Sequence, residues 1–143
     1  MQTSHELVCR QFVIASCTDE WPKVQNEIAD ELLARDFSER EVFSVRLALE
    51  EALVNAIKHG NGSNPTKSVE VVFHVDEREM SVAITDEGPG FSLEDVPDPT
   101  LPENMDKPSG RGLLLMRSFM TSVKYNARGN GVVMSFRRST DVK

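Results

Sequence analysis

Glu51, Asn55 and His59 fall at four-residue intervals within RLALEEALVNAIKHG, a stretch whose other spacing is that of an apolar helix. A carboxylate able to take a proton, an amide oxygen able to join the shell of a hard cation, and an imidazole thus follow one another at one-turn steps. Val45, Ala48, Leu49, Ala52, Leu53 and Ala56 make the apolar stripe of that helix. Glu51 and Asn55 run along one edge of it, His59 lies nearer its centre, and Glu50 and Arg46 take the opposite flank. The helix alone leaves two readings open. Either Glu51 and Asn55 merely border a core stripe, or they face a site. Lys58 reads as a surface residue, and His59 as either a satisfied core histidine or part of such a site.

A site needs other groups, and two glycine pairs supply candidates. ITDEGPGF places Asp86 at the end of an apolar strand, followed by Gly88 and Gly90. Asp at a strand end is often only a turn former. Glycines there remove Cβ atoms, so that a ligand can press against backbone. SGRGLLLM sets Gly110 and Gly112 just ahead of a helix, where free amides and the helix dipole favour a phosphate. Each pair is a weak signal, but together with the helix carboxylate and amide they describe one site.

The elements that must position these residues follow from periodicity. Residues 7–15 alternate as a first strand, and Trp21, Val24, Ile28, Ala29, Leu32 and Leu33 make a helical stripe, with Asp19 as its expected N-cap and Pro22 in its first turn. Ser38 and Glu41 form a capping box that starts the second helix, expected to run to Gly60, a terminal residue able to adopt positive φ. GNGSNP is a turn. Residues 69–75 and 80–85 read as a hairpin across DERE. The acidic, proline-rich stretch 91–109 is a long loop, of the kind that is functional or disordered in a small domain. A helix is expected from Gly112, then strands 123–127 and 132–136 joined at an Asn130-Gly131 turn. Adjacent hairpins imply a mostly antiparallel sheet with helices on one face, an α+β two-layer sandwich formed as a single domain over residues 1–143.

A net charge of −7 over 143 residues argues against direct nucleic-acid binding, because nothing balances phosphate repulsion. Cys9 and Cys17 lack metal or disulfide spacing, and read as a buried thiol and a loop thiol in a reducing compartment. No apolar run reaches membrane-spanning length, and residues 1–6 lack a signal-peptide core, so a cytoplasmic protein with no membrane partner is expected.

Glu-x-x-x-Asn on a helix, Asp-x-Gly-x-Gly after a strand and Gly-x-Gly opening a later helix occur in that order. The combination resembles the GHKL ATPase/kinase superfamily with its Bergerat ATP-binding fold, shared by DNA gyrase and the histidine kinases. The chain is most similar to the bacterial anti-sigma factor serine-protein kinases, from about Phe12 to Phe136. The resemblance implies ATP and Mg²⁺ as cofactors. It makes Glu51 the carboxylate that activates the attacking group and Asn55 the Mg²⁺ ligand; His59, one turn beyond, is within reach of the phosphates or is a satisfied buried histidine. It gives Asp86 the adenine amino group, with Gly88 and Gly90 admitting the base. Gly110, Arg111, Gly112 and Leu113 become the phosphate-contacting end of an ATP lid formed by 91–109. Val132 and Val133 depart from the family, which often carries threonine there, and the lid is richer in proline than usual.

The implied function is an ATP-dependent serine-protein kinase and anti-sigma factor. Its implied partners are a STAS-domain anti-sigma-factor antagonist, which it phosphorylates, a sigma factor, and a second copy in a homodimer. Met116, Phe119 and Met120 exceed what one buried stripe needs, in keeping with such a dimer. A histidine kinase would need a phospho-acceptor helix upstream, and His5 has no helical pattern around it. The alternative of a different class is a nucleotide-gated binding module with little or no kinase activity; Glu51 beside Asn55 favours catalysis, since binding alone needs no base.

Overall fold

A computed structural model describes residues 8–16, 19–88, 110–126 and 129–138, with the side chains of 110–113 excepted. Cys17, Gly90, the 91–109 loop and the side chains of Arg111 and Leu113 lie outside the described residues.

The strands are β1 (Val8–Ala15), β2 (Ser68–Val75), β3 (Glu79–Thr85), β4 (Ser122–Tyr125) and β5 (Gly131–Arg137). They form one sheet in the order β1-β2-β3-β5-β4, and every neighbouring pair is antiparallel. Alternate residues point to one face: Val69, Val71, Phe73 and Val75 of β2, Met80, Val82 and Ile84 of β3, and Val132 and Met134 of β5 are all buried. They form a single core with the apolar stripes of the helices, the two-layer α+β arrangement expected from the sequence. Burial drives that layering, because a half-apolar sheet must cover one face.

Helix α1 (Trp21–Ala34) starts one residue later than expected. Its N-cap is Glu20 rather than Asp19 and makes no side-chain cap bond, because the Glu20 carboxylate instead accepts the Ala15 amide at 2.9 Å. Helix α2 (Glu39–Val54) opens on the expected capping box: Ser38 Oγ accepts the Glu41 amide at 3.0 Å, and Glu41 Oε1 accepts the Ser38 amide at 2.7 Å. The stripe from Val45 to Ala56 is buried throughout, with Val45, Ala48, Leu49 and Leu53 fully enclosed.

Helix α3 (Gly110–Phe119) begins earlier than expected, so Gly110 and Gly112 form its first turn rather than precede it. Met116 and Met120 are buried in the core and Phe119 is half-buried, so these residues do not form an outward-facing surface; among the described side chains of this helix, Leu114 is the exposed large apolar one. Cys9 is exposed, contrary to the expectation of a buried thiol, because its side chain stands on the uncovered face of β1.

The β2–β3 turn is closed by the Asp76 carboxylate, which accepts the amides of Arg78 and Glu79 at 2.7 and 2.9 Å. The β4–β5 connection is not a two-residue Asn130-Gly131 turn. Asn126 Oδ1 accepts the amides of Gly129 and Asn130, the positive φ of +83° falls on Gly129, and Gly131 is already the first residue of β5. Gly131 is small for a packing reason, since a Cβ there would lie 2.8 Å from Asn126 Nδ2.

Candidate functional site

The chain leaves α2 through a change of helix type. Residues Asn55–Gly60 form a π-helical segment instead of continuing the α-helix, and Asn61 donates its amide to the carbonyl of Ala56, five residues back, at 2.9 Å. Such widened turns are rare and concentrate at functional sites. Gly60 does not use positive φ to end the helix. That conformation falls on Gly62 and Ser63, at +61° and +57°, where the chain reverses toward β2.

Gly60 is small for another reason: the residues after β3 pack against it. A Cβ on Gly60 would lie 2.2 Å from Asp86 Oδ2 and 2.6 Å from Oδ1, so the Asp86 carboxylate rests directly on the Gly60 backbone. A Cβ on Gly88 would lie 1.8 Å from the Gly60 carbonyl oxygen. The space opened by Gly88 is therefore taken up by the helix end, and the two glycines allow two backbones to meet beside one carboxylate.

The Asp86 main chain is fastened to the β4–β5 loop. Its amide donates to the Asn130 carbonyl at 2.9 Å, and its own carbonyl accepts from Asn130 Nδ2 at 3.1 Å. Asp86 Oδ1 accepts the Gly88 amide at 2.7 Å, which closes the turn. Register explains the placement. Thr85, the last residue of β3, pairs with Gly131, the first of β5, so Asp86 emerges at the sheet's rim.

Above this rim lies an open cleft. Asn55, Ala56 and His59 form its helix wall, Ile84 and Asp86 its floor, and Tyr125 and Val132 the wall opposite. Sequence reasoning placed Asn55, His59 and Asp86 at one site, and they share this cleft. Glu51 does not line it, but its charge acts on both His59 and Tyr125, which do. Gly88 is buried under the floor.

His59 is exposed rather than central to the buried stripe, because the π-helical turn alters the angular step after Asn55. Desolvation on its cleft side and then the charge of Lys58 hold its pKa below the ordinary histidine value, against the pull of Glu51. The Tyr125 phenol is pushed up to about 12, chiefly by burial, with the Asp86 and Glu51 carboxylates adding to the effect and Arg117 opposing it. It stays protonated at neutral pH.

Gly60, Asn61, Tyr125 and Asn130 were missed as parts of the site. Asn61 and Asn130 sit in Asn-Gly pairs that read as turns, and nothing local distinguishes a turn asparagine from one reaching across the fold. Tyr125 could have been found, as the single tyrosine of the chain and one falling on the inward face of an alternating strand.

The sequence profile of the histidine kinase-like ATPase domain matches residues 14–136. The serine-protein kinase RsbW of Oceanobacillus iheyensis is 28% identical over 104 residues, which make up 68% of this chain and 66% of that protein. The serine/threonine-protein kinase BtrW of Bordetella bronchiseptica is 31% identical over 94 residues, 64% of this chain and 66% of that protein. An anti-sigma F factor of Clostridium acetobutylicum is 31% identical over 99 residues, 66% of this chain and 68% of that protein. The matched stretch thus spans about two thirds of each of these relatives.

Proposed function

Because the chain belongs to the histidine kinase-like ATPase domain family, we propose that its cleft binds ATP and that the protein is a serine-protein kinase and anti-sigma factor of a partner-switching system. The names of its relatives, two protein kinases and an anti-sigma factor, support this reading. The observation that carries it is the cleft floor, where an aspartate is fixed against bare backbone at the end of the helix that bears Glu51 and Asn55.

Each residue then has a task that its chemistry allows. Asp86, a carboxylate on a residue held at both its amide and its carbonyl, takes the exocyclic amino hydrogen of adenine. Ile84, Ala52 and Val132 give the base an apolar seat. Gly110, Arg111, Gly112 and Leu113 open α3, where first-turn amides and a guanidinium suit the phosphates. Gly90 and the 91–109 lid belong to the same proposal.

The donors present fit Mg²⁺. Asn55 offers a neutral amide oxygen on the cleft wall. Among the described residues no group of three His, Cys, Asp or Glu side chains could cage a metal. A hard cation at Asn55 would thus complete its shell with phosphate oxygens and water, the coordination Mg²⁺ prefers. When bound, it supplies charge neutralisation to the phosphates. Glu51, one helical turn before Asn55, accepts the proton of the incoming serine hydroxyl as the γ-phosphoryl group passes to that oxygen, its bond to the β–γ bridging oxygen breaks and ADP leaves. His59, largely neutral at pH 7, stands at the mouth without adding a fixed charge.

The serine belongs to a STAS-domain anti-sigma-factor antagonist, and the alternating partner is a sigma factor; a homodimer and a cytoplasmic setting complete the proposal. No described helix is long and apolar enough to cross a membrane. The test incubates the protein with γ-labelled ATP and the STAS-domain protein encoded nearest its gene. Label on a serine of that protein is expected. ATP bound without transfer would favour a nucleotide-gated binding module instead.

A further inference from the structure

Asn61 is buried, 3% exposed, one residue past the π-helical segment, and every polar atom of its side chain is engaged. Oδ1 accepts the Glu87 amide at 2.7 Å. Nδ2 donates to Ser16 Oγ at 2.8 Å and to the Ser68 carbonyl at 2.9 Å. The orientation of the amide is fixed by chemistry, because an N–H can only donate and the Ser68 carbonyl can only accept. One side chain thus joins the end of β1, the start of β2 and the turn after β3.

Glu87 tightens the same junction from the other side. Its Oε2 accepts the Ser68 amide at 2.6 Å and the Ser68 hydroxyl at 3.0 Å. The peptide between Asp86 and Glu87 is therefore gripped by two asparagines: Asn130 binds the Asp86 carbonyl and Asn61 the Glu87 amide. That peptide follows the Asp86 side chain directly, so its plane sets where the carboxylate points. The grip from Asn61 also fixes the helix end against which the carboxylate rests, because Asn61 adjoins Gly60.

We infer that Asn61 is a positioning residue that aims the Asp86 carboxylate at the base, so that nucleotide selectivity depends on a side chain outside the cleft. This rests on the proposed role of Asp86 in reading the adenine amino group. A peptide freed on one side swings, and a carboxylate displaced by about an ångström loses the geometry a hydrogen bond needs.

The test compares ATP with inosine triphosphate, which carries a carbonyl in place of the exocyclic amino group, by calorimetric titration of the whole protein. Wild type should prefer ATP. Asn61→Ala should lower the ATP-to-ITP affinity ratio by roughly tenfold, the scale of one lost hydrogen bond. A purely structural role would weaken both nucleotides alike and leave the ratio unchanged, and that result overturns the inference. If Asn61→Ala does not fold, Ser16→Ala decides. It removes one acceptor of Nδ2 and should lower the ratio in the same direction by a smaller factor; an unchanged ratio overturns the inference equally. Equal affinities for the two nucleotides in wild type would instead overturn the role of Asp86 itself.

Discussion

The carboxylate of Asp86 lies on the backbone of Gly60, so close that a Cβ on the glycine would stand 2.3 Å from the carboxylate carbon. Gly60→Ala is therefore the reverse of the usual helix substitution. Alanine in place of glycine ordinarily stabilises a helix by up to about 1 kcal/mol. Here overlap with a carboxylate anchored by three hydrogen bonds at its own residue outweighs that gain, and stability should fall by ~1–3 kcal/mol. ATP affinity should fall about tenfold or more with it. Gly62→Ala is the control: no atom lies within 4 Å of its Cβ, but φ is +61°. It should cost about 1 kcal/mol of stability in thermal melts and leave nucleotide affinity unchanged.

Acid should loosen the same junction through Glu87. The Ser68 amide and then its hydroxyl hold the Glu87 pKa below the ordinary glutamate value of 4.5, with help from Lys67. A carboxylate whose pKa is lower in the folded chain stabilises the fold fully above its unfolded pKa, and that contribution disappears as pH falls through the folded one. Melting temperature should thus drop from about pH 5 downward, and Glu87→Gln should make this drop shallower. An identical acid limb in the variant would mean that Glu87 contributes nothing to it.

Much of this was legible in the sequence where the signal is local. A capping box, a six-residue apolar stripe from Val45 to Ala56 and alternating strands specify their elements through neighbours a few residues apart. The clustering of Asn55, His59 and Asp86 was legible too, because helix edge and strand end each constrain where a side chain can go. What could not be read is set by contacts distant in sequence. Gly60 looked like a helix terminator, yet its partners are Asp86 and Gly88. Asn130-Gly131 has the composition of a tight turn, yet Asn126 binds the loop and moves the positive φ to Gly129. His59 is exposed because a π-helical turn, which leaves no periodic mark in six residues, changes the step after Asn55.

Metal dependence should trace to Asn55. Asn55→Ala removes one neutral oxygen from the cleft wall without adding charge, so the Mg²⁺ concentration for half-maximal transfer should rise about tenfold or more. Fold stability should change little, because the side chain is half-exposed and borders the core rather than filling it. A variant with the wild-type Mg²⁺ requirement would place the metal on other ligands.

The most direct measurement of the central claim is the time course of phosphate transfer from ATP to the STAS-domain protein, by wild type and by Glu51→Gln. Glu51 stands one turn before Asn55, outside the cleft lining but close enough to act electrostatically on His59 and Tyr125 within it. Glutamine keeps the shape and cannot accept a proton. Loss of a general base slows transfer by about 10²–10⁴-fold while ground-state binding is spared. The account predicts such a slowing in Glu51→Gln, with an ATP isotherm matching that of wild type. Equal transfer rates, or no transfer by the wild-type protein while it binds ATP, would contradict it.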